Sequence, residues 1–384
     1  MKLLYTCADR ADDPLHWSGT VVNCRRALEA AGVEIAVFDR IPFECPPVLR
    51  VRHQLHKHLA LKTHHLDLEP DVLRSAAQRI AIRFAEGDCD AVFCPGTGVP
   101  VHAYLPPEIP TFTYLDATKR SWIEAYFGLR TLCARSRRHV DAVDRRGLHD
   151  HTLTFFSSEW AQREAERDYN VPFERMAVVP FGANLTHAPT HVEVAASILA
   201  RGHLPFRLLF VGKEWERKGG PDALALVRVL RDRGQAATLD IVGCTPVLTE
   251  EERGFVCVHG FIDHSTPEGA ARFHALLSAS HVLVFLSHAE AYGIALCEAA
   301  AFGVPAYALR VGGIPTIVRH GETGWLGDAP FCVTTAAHTL IEVCRSPVAY
   351  GRVALAARAD YEKRLNWQAA GRNLRTRMET ALAT

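Results

Sequence analysis

The sequence lacks the features that mark membrane, secreted and nucleic-acid-binding proteins. No stretch approaches the roughly 18–20 consecutive apolar residues that a membrane span needs. The opening MKLLYTCADR turns polar too early for a secretory leader and is typical of a first β-strand. Lys+Arg and Asp+Glu are equal at 43 each, so no overall charge would draw the protein to nucleic acid or anionic lipid. These absences favour a cytoplasmic protein without a nucleic-acid partner or a transmembrane segment, in which any anion site is local.

Paired cysteines are also absent, since none of the eleven forms a C-x-x-C motif. This argues against a disulfide framework and against a zinc site. Several cysteines lie inside apolar runs, among them Cys94, Cys257 and Cys332. We expect these to be buried, reduced thiols, as cytoplasmic proteins commonly have.

Two other patterns could suggest a metal, and we interpret both otherwise. Asp88-Cys89-Asp90 has the D-x-D spacing of metal-binding enzymes, but it precedes the strand AVFCP and so predicts a helix-to-strand turn. The pairs His64-His65 and His149-x-His151 are interpreted as surface residues. The sequence therefore predicts no metal ligands.

Short β-branched runs alternate with longer helical patterns, and the alternation restarts past the middle of the chain. The first half contains KLLYT, VEIAVF and AVFCP, and the second contains FRLLFVG, ATLDIVG and HVLVFLS. This pattern predicts two doubly wound α/β domains of the Rossmann type, with a ligand cleft beyond the carboxyl ends of the strands. We expect domains at 1–185 and 186–360, a hinge near 183–200, and a helix at about 361–384 that packs back on the first domain.

The segment SHAEAYGIALCEAAAFGVP follows the strand HVLVFLS and contains Glu290 and Glu298, with seven residues between them. A helix is predicted to begin near Tyr292-Gly293, which places Glu290 on the preceding loop and Glu298 in the second turn. Main-chain N–H groups at the start of such a helix suit a diphosphate, because they lie at the positive end of the helix dipole. The residues expected to offer these groups are Gly293, Ile294 and Ala295.

This stretch resembles the Glu-x7-Glu motif of the family-4 retaining glycosyltransferases, and the likeness continues through VGGIPTIVRHGETGWL. The resemblance implies the two-domain GT-B fold and the transfer of a sugar, hexosyl in type, from a nucleotide-diphosphate donor. It also implies retention of the anomeric configuration without a metal or a cofactor. In such an enzyme Glu298 would bind the ribose hydroxyls of the donor, and Glu290 would contact the donor sugar.

The strand-end segment FVGKEWERKGG carries Lys213 and Lys218 after Gly212. Two cations at a strand end can neutralise the charge that grows on a departing diphosphate. The segment resembles the family's Gly-Arg-x4-Lys-Gly motif, except that Lys213 stands where many members have Arg and so lacks the bidentate fork. We therefore expect Lys218 to matter more than Lys213.

Further strand ends resemble ligand-contacting loops of the family less specifically. Gly19, at the mouth of the first helix, is expected near the donor, and CVHGFI is where the family rests the nucleotide base against the backbone. One of the serines Ser157 and Ser158 is predicted to cap a helix that begins near Glu159. The remaining residues assigned to donor or acceptor contacts are Gly212, Gly260, Phe261, Ile262, Asp116, Thr118, Asn184 and His288.

Three alternatives share the two-domain plan and stay open at this point. A sugar-nucleotide epimerase would convert its donor without an acceptor. A phosphorylase of the glycogen type would use pyridoxal phosphate and a longer chain, and a non-catalytic protein would bind nucleotide sugar without turnover. The donor base and sugar are not specified by the motifs. The acceptor could be a glycan, a lipid-linked sugar or a small molecule.

Overall fold

A computed structural model describes residues 1–42, 44–56, 58, 62–96, 99–202 and 205–383. The chain forms two compact units. Unit 1 comprises Met1–Phe181 together with Trp367–Thr384, and unit 2 comprises Gly182–Asn366.

Each unit is built around a parallel sheet, and the described residues place six strands in each. In unit 1 the strand order is β2-β1-β3-β4-β5-β6, and in unit 2 it is β12-β11-β10-β7-β8-β9. Both orders confirm the doubly wound α/β architecture predicted from the sequence. The strands are β1 (Lys2–Thr6), β2 (Glu34–Phe38), β3 (Ala91–Pro95), β4 (Thr111–Leu115), β5 (Leu153–Phe156), β6 (Met176–Val178), β7 (Phe206–Val211), β8 (Ala237–Val242), β9 (Val256–Gly260), β10 (Val282–Phe285), β11 (Ala306–Leu309) and β12 (Gly324–Gly327).

Helices connect the strands, and many begin at a residue whose side chain closes the first turn. In these cases a serine or threonine oxygen accepts a hydrogen bond from the main-chain N–H three residues later, which satisfies one of the free donors of the helix start. Ser158 caps a helix in this way, as predicted. The capping residues are Thr118, Ser158, Thr190, Thr249, Thr266 and Ser346. The helices are α1 (Thr20–Ala30), α2 (Pro47–Leu55), α3 (Pro70–Glu86), α4 (Lys119–Tyr126), α5 (Ala134–His149), α6 (Glu159–Tyr169), α7 (His191–Ala200), α8 (Gly220–Asp232), α9 (Glu250–Arg253), α10 (Pro267–Ala279), α11 (Ile294–Ala301), α12 (Ile314–Ile317), α13 (Val333–Arg345), α14 (Pro347–Arg364) and α15 (Trp367–Leu382).

The segment predicted as one helix from about 361 to 384 is divided between α14 and α15, which meet at Leu365 and Asn366. Helix α15 packs against α1 within unit 1. Gly371 makes this possible, because a Cβ there would lie 2.3 Å from the main-chain oxygen of Ala27. Among the described helices, none is both long and apolar enough to cross a bilayer.

The eleven cysteines all lie in described positions and are free thiols. Cys94 is buried as predicted, but the prediction of burial is wrong for Cys257 and Cys332, which are exposed. Cys257 lies on β9, an edge strand, where it alternates with the buried Val256. Cys332 immediately precedes α13 and occupies its N-cap. An apolar neighbourhood in the sequence therefore did not determine which face these thiols occupy.

The interpretation of two histidine pairs as surface residues is wrong for one member of each. His64 is 2% exposed and its Nε2 lies 2.7 Å from a Glu69 carboxylate oxygen. His151 is 3% exposed, and its Nε2 lies 3.0 Å from the carbonyl oxygen of His102. Burial lowers the pKa of His151 to about 4, so this ring is neutral at physiological pH.

Candidate functional site

The strand order of unit 2 reverses between β7 and β10, which is the position where ligands bind in doubly wound sheets. The chain runs from β7 to β8 and β9 on one side, and then returns to place β10, β11 and β12 on the other. Strands β7 and β10 are therefore neighbours at the point where the direction of winding reverses. Loops that leave two such strands diverge and leave space between them.

Lys218 and Glu290 meet at this point from the loops after β7 and β10. Their side chains form an ion pair and are only 17% and 9% exposed. The hydroxyl of Ser287 donates to the same Glu290 oxygen at 3.2 Å. The Lys218 ammonium also lies 5.0 Å from the ring centroid of Phe285, the last residue of β10. The sequence had singled out the lysine and the glutamate but not their pairing, and it had not singled out Ser287.

Arg217 provides a second link between the same two loops. Its guanidinium donates to the carbonyl oxygen of Ala289 at 2.8 Å and to both carboxylate oxygens of Glu214, at 2.6 and 3.0 Å. The main-chain N–H of His288 donates back to the Arg217 carbonyl oxygen at 2.9 Å. Hydrogen bonds from Arg217 lower the pKa of Glu214. Sequence reasoning missed Arg217, although a third cation within the lysine segment was visible.

Helix α11 begins beside the Glu290 loop, as predicted to within two residues. Gly293 is its N-cap and has φ of 103°, a left-handed conformation that glycine adopts without strain. Ile294 and Ala295 are partly exposed, whereas residues 296–301 are all buried. Ile294 and Ala295 are thus the accessible residues of the helix, and N–H groups at a helix start can receive an anion.

Glu298 lies in the second turn of α11 and is 5% exposed. Burial raises the pKa of its carboxyl to about 8, and the main-chain N–H of Asn184, which donates to it, opposes this effect. Asn184 therefore lies at Glu298. A buried carboxyl whose pKa is this far above the usual value is typical of a functional site.

The loop after β11 supports Glu290 from the other side. Gly312 has φ of 52°, and a Cβ at this position would lie 1.7 Å from the main-chain oxygen of Glu290. The N–H of Gly313 donates to the carbonyl oxygen of Ala291 at 3.1 Å. The Gly312-Gly313 pair is thus in direct contact with the backbone that carries Glu290.

Glycines also lie at the carboxyl ends of the neighbouring strands β7, β8 and β9. The N–H of Gly212 donates to Val242 at 2.9 Å, and the N–H of Gly243 donates to Gly260 at 2.8 Å. A Cβ on Gly243 would lie 2.6 Å from the Gly212 oxygen, so the strand ends are packed backbone to backbone. Gly243 had not been singled out from the sequence, where it is one of 26 glycines.

Lys213 and Phe261 lie together on this edge. The lysine ammonium is 4.8 Å from the centroid of the phenylalanine ring, a cation–π contact between two exposed side chains. Phe261 is 57% exposed, whereas Ile262 is buried. An exposed aromatic ring beside a cation is available for a planar or anionic ligand.

In unit 1, the predicted residues Gly19 and Asp116 are connected through Trp17. Gly19 ends the turn His16–Gly19, in which Trp17 and Ser18 adopt left-handed conformations with φ of 47° and 55°. The indole N–H of Trp17 donates to a carboxylate oxygen of Asp116 at 3.2 Å. Left-handed conformations are costly for residues other than glycine and are concentrated at functional sites. The turn and the end of β4 therefore form one local structure.

Three other features have structural tasks. Thr118 is fully buried, and its hydroxyl caps α4. His288 points to Asp222, with its Nε2 2.9 Å from the carboxylate. Asp88 pairs with the ammonium of Lys2, and Asp90 accepts the Lys2 main-chain N–H at 2.7 Å, as a turn before β3 requires.

Sequence comparison finds a family match that covers Lys218, Glu290 and helix α11. Residues 205–345 match the family described as "Glycosyl transferases group 1". Glycogen synthase from Mycobacterium tuberculosis is 32% identical over 172 residues, which is 43% of this chain and 40% of that protein. The chain thus spans about two fifths of the length of this curated relative.

Comparison with solved structures confirms the GT-B fold. Sucrose-phosphate synthase from Thermosynechococcus elongatus aligns with a TM-score of 0.69 at 18% identity and covers 100% of this chain and 99% of its own. Anabaena HepE in complex with UDP-glucose aligns with a TM-score of 0.62 at 15% identity, over 99% of this chain and 100% of the other. At such identities the likeness concerns the fold alone.

Proposed function

We propose that this protein is a glycosyltransferase that moves a sugar from a nucleotide-diphosphate donor to an acceptor. The observation that carries the proposal is the Lys218–Glu290 pair at the reversal of strand order, beside the free N terminus of α11. The match of residues 205–345 to a glycosyl transferase family supports it, since that range contains this pair and the helix.

In the proposed complex the donor diphosphate binds to the N–H groups of Ile294 and Ala295. The helix dipole and two cations then oppose the negative charge that grows as the glycosyl–phosphate bond breaks. Lys218 and Lys213 provide these cations. Glu298 binds the ribose hydroxyls, and Glu290 contacts the donor sugar.

The nucleotide base is proposed to lie along the end of β9. Gly260 offers main-chain groups at the edge of the sheet, and the exposed ring of Phe261 can stack on a base. This placement is supported by the open space at Gly260, where, apart from its chain neighbours, an added Cβ would meet no atom nearer than Thr245 Oγ1 at 4.0 Å.

The proposed transfer proceeds with retention of the anomeric configuration and without a metal or cofactor. The bond between the anomeric carbon and the phosphate oxygen breaks, and the acceptor oxygen bonds to that carbon on the same face. The departing phosphate accepts the acceptor's proton, so no protein nucleophile is needed. Lys213, Lys218 and the helix N terminus take the part that a divalent cation has in other enzymes.

Unit 1 is proposed to recognise the acceptor. The strained turn of Trp17, Ser18 and Gly19 and its bond to Asp116 support this assignment. The acceptor class is a glycan, a lipid-linked sugar or a small molecule.

Thermal unfolding with a series of nucleoside diphosphates tests the donor site. A ligand at 100 times its Kd should stabilise the protein by about 2.7 kcal/mol. UDP is the first choice, because the Anabaena structure contains UDP-glucose. Failure of UDP, GDP and ADP alike to raise Tm would contradict the donor site.

A transfer assay then separates the proposed function from its alternatives. We expect nucleotide release from UDP-glucose to require an added acceptor for full rate and to persist in EDTA. Isomerisation of the donor without an acceptor would identify an epimerase instead, and binding without any release would identify a non-catalytic protein.

A further inference from the structure

Three potential metal ligands lie side by side on β8 and β9, on one face of the sheet of unit 2. Asp240 of β8 is directly opposite Cys257 of β9 in the parallel register. The register shifts after Val258, so that His259 is the extra residue of a bulge in β9. Its imidazole nevertheless lies beside Asp240, because His259 Nε2 is 2.6 Å from the Asp240 carboxylate. One ligand atom from each of these residues, which we call the edge triad, lies within 4.8 Å of the other two. Residues 239 and 241, which alternate with Asp240, are fully buried on the opposite face.

We propose that the edge triad binds a zinc-type divalent cation. A thiolate, an imidazole and a carboxylate are the donors that Zn²⁺ accepts, and three protein ligands leave a fourth tetrahedral position for water. Cys257 is exposed, which gives a cation access from solvent. One thiolate and one carboxylate balance the two positive charges of the ion. The donor set includes sulfur, so it disfavours Mg²⁺ and Ca²⁺, which prefer oxygen ligands.

Small side-chain movements are enough to complete the geometry. His259 Nε2 lies 2.6 Å from the Asp240 carboxylate, within hydrogen-bond distance. Ligand atoms around tetrahedral zinc are roughly 3.3–3.8 Å apart, given bond lengths of about 2.0–2.3 Å. The imidazole and carboxylate must therefore separate by about 1 Å as the ion replaces the proton between them.

Arg272 of α10 carries a positive charge close to the proposed site and would repel a bound cation. Its guanidinium lies 3.4 Å from His259 Nδ1 and 3.4 Å from the His259 carbonyl oxygen. Arg272 is exposed, so its side chain can turn into solvent when Nδ1 carries the proton of a metal-bound imidazole.

A cation at the edge triad would link the edge strand β9 to β8 and would therefore stabilise the folded protein. Strand β9 pairs with β8 alone among the described strands. Cys257 and His259 belong to the strand whose end, at Gly260 and Phe261, is proposed to contact the base, but their side chains are not among the groups assigned to the donor. The proposal can therefore be tested through metal binding and Tm, independently of glycosyl transfer.

Titration of the tag-free, full-length, metal-free protein with Co²⁺ tests this site, because cobalt reports its ligands in its spectrum. We expect one Co²⁺ per chain, with a sulfur-to-cobalt charge-transfer band and the visible bands of tetrahedral cobalt. Cys257→Ser should abolish the charge-transfer band, and His259→Ala should weaken cobalt binding by about 100-fold or more. Cys332→Ser is the matched control, because it removes the other exposed thiol and should leave the spectrum unchanged.

Stoichiometric Zn²⁺ gives a second measurement. It should raise the Tm of the native protein and of Cys332→Ser, but not that of Cys257→Ser. The proposal is overturned if native protein shows no charge-transfer band, if the band persists in Cys257→Ser, or if Cys332→Ser abolishes it.

Discussion

Lys213 and Lys218 belong to the same loop, yet their surroundings differ. Lys218 is held against Glu290 and Phe285, whereas Lys213 is exposed above Phe261. A cation that is fixed before the reaction stabilises developing charge without reorganisation. We therefore expect Lys218→Ala to lower kcat by roughly 100- to 1000-fold and Lys213→Ala by less than about tenfold. Steady-state transfer rates at saturating donor measure both effects.

Removing Lys218 also leaves Glu290 as a nearly buried carboxylate without its partner, which destabilises the protein. The double variant Lys218→Met/Glu290→Gln removes both charges and serves as the stability control. It should recover most of the Tm lost by Lys218→Ala while remaining inactive. Recovery of activity together with Tm would show that the lysine contributes to folding and not to transfer.

Glu298 should make stability depend on pH in a direction opposite to most carboxylates. Burial raises its folded pKa from 4.5 to about 8, so between these values the unfolded chain is ionised and the folded protein is protonated. The unfolded state then binds fewer protons, and stability falls as pH rises through this window and levels off above it. Glu298→Gln removes this contribution. In thermal unfolding, the Tm of the variant should increase relative to that of the native protein as the pH is raised from 5 to 8.5.

A constant difference in Tm between the two proteins across that range would contradict the raised pKa. Glu322→Gln is a suitable control, because this exposed carboxylate on the same unit should leave the pH profile of the native protein nearly unchanged.

Sequence reasoning identified several site residues but not the contacts between them. Lys218 and Glu290 were chosen separately from two motifs, and they are 72 positions apart in the chain. Their pairing depends on β7 and β10 being neighbours, which no local pattern specifies. Arg217 was missed for the same reason, since it donates to Ala289, which is 72 positions away. Ser287 was missed although its partner Glu290 is only three positions later, because a serine at a strand end is not a distinctive signal.

At the scale of elements, the loop after β11 determines where Glu290 lies. An alanine at Gly312 would require a left-handed φ and would place its Cβ inside the Glu290 carbonyl group. We expect Gly312→Ala to cost roughly 1–3 kcal/mol of unfolding free energy. The rate of sugar transfer should also fall at temperatures where the variant remains folded, because the Glu290 carboxylate is displaced.

Gly351→Ala is the matched control within the same unit. This glycine is inside α14, and apart from its chain neighbours and the backbone of its own helix an added Cβ would have no described atom within 4 Å. Alanine is favoured over glycine in helices by about 1 kcal/mol, so this variant should be as stable as the native protein or more so. Chemical denaturation measures the free energy of unfolding of both variants. An equal decrease in the two would refute the role given to Gly312.

The positions of strands and helices with strong local sequence signals were predictable. Which side chains of these elements are buried was less predictable. The strand at Val282–Phe285 and the start of α11 follow from a β-branched run and a glycine. The break between α14 and α15 was missed, because the LNW sequence there has no proline or glycine. Cys257 was assigned to the core because its neighbours are apolar, but alternation on an edge strand turns it outward.

At the scale of the whole molecule, the chain leaves unit 1 at Phe181 and returns to it at Trp367. The ends of unit 2 are joined to each other, since the N–H of Ala183 donates to the carbonyl oxygen of Leu365 at 3.0 Å. The main hydrophobic cluster of this unit, from Phe206 to Ala354, also lies wholly within it. Unit 2 therefore has the closed backbone and separate core of an independent domain.

This organisation predicts that residues 182–366 fold and bind nucleotide when expressed alone. The fragment contains Lys218, Glu290 and Glu298, which are proposed to bind the donor, and also Asn184, whose N–H donates to Glu298. We expect cooperative unfolding and a Kd for nucleoside diphosphate within about tenfold of the full-length value, a difference of 1.4 kcal/mol or less. Sugar transfer should be absent, because unit 1 with its Trp17–Asp116 contact is missing. A fragment that unfolds cooperatively but binds no nucleotide would show that the donor site requires unit 1, and the assignment of the donor to unit 2 would then be wrong.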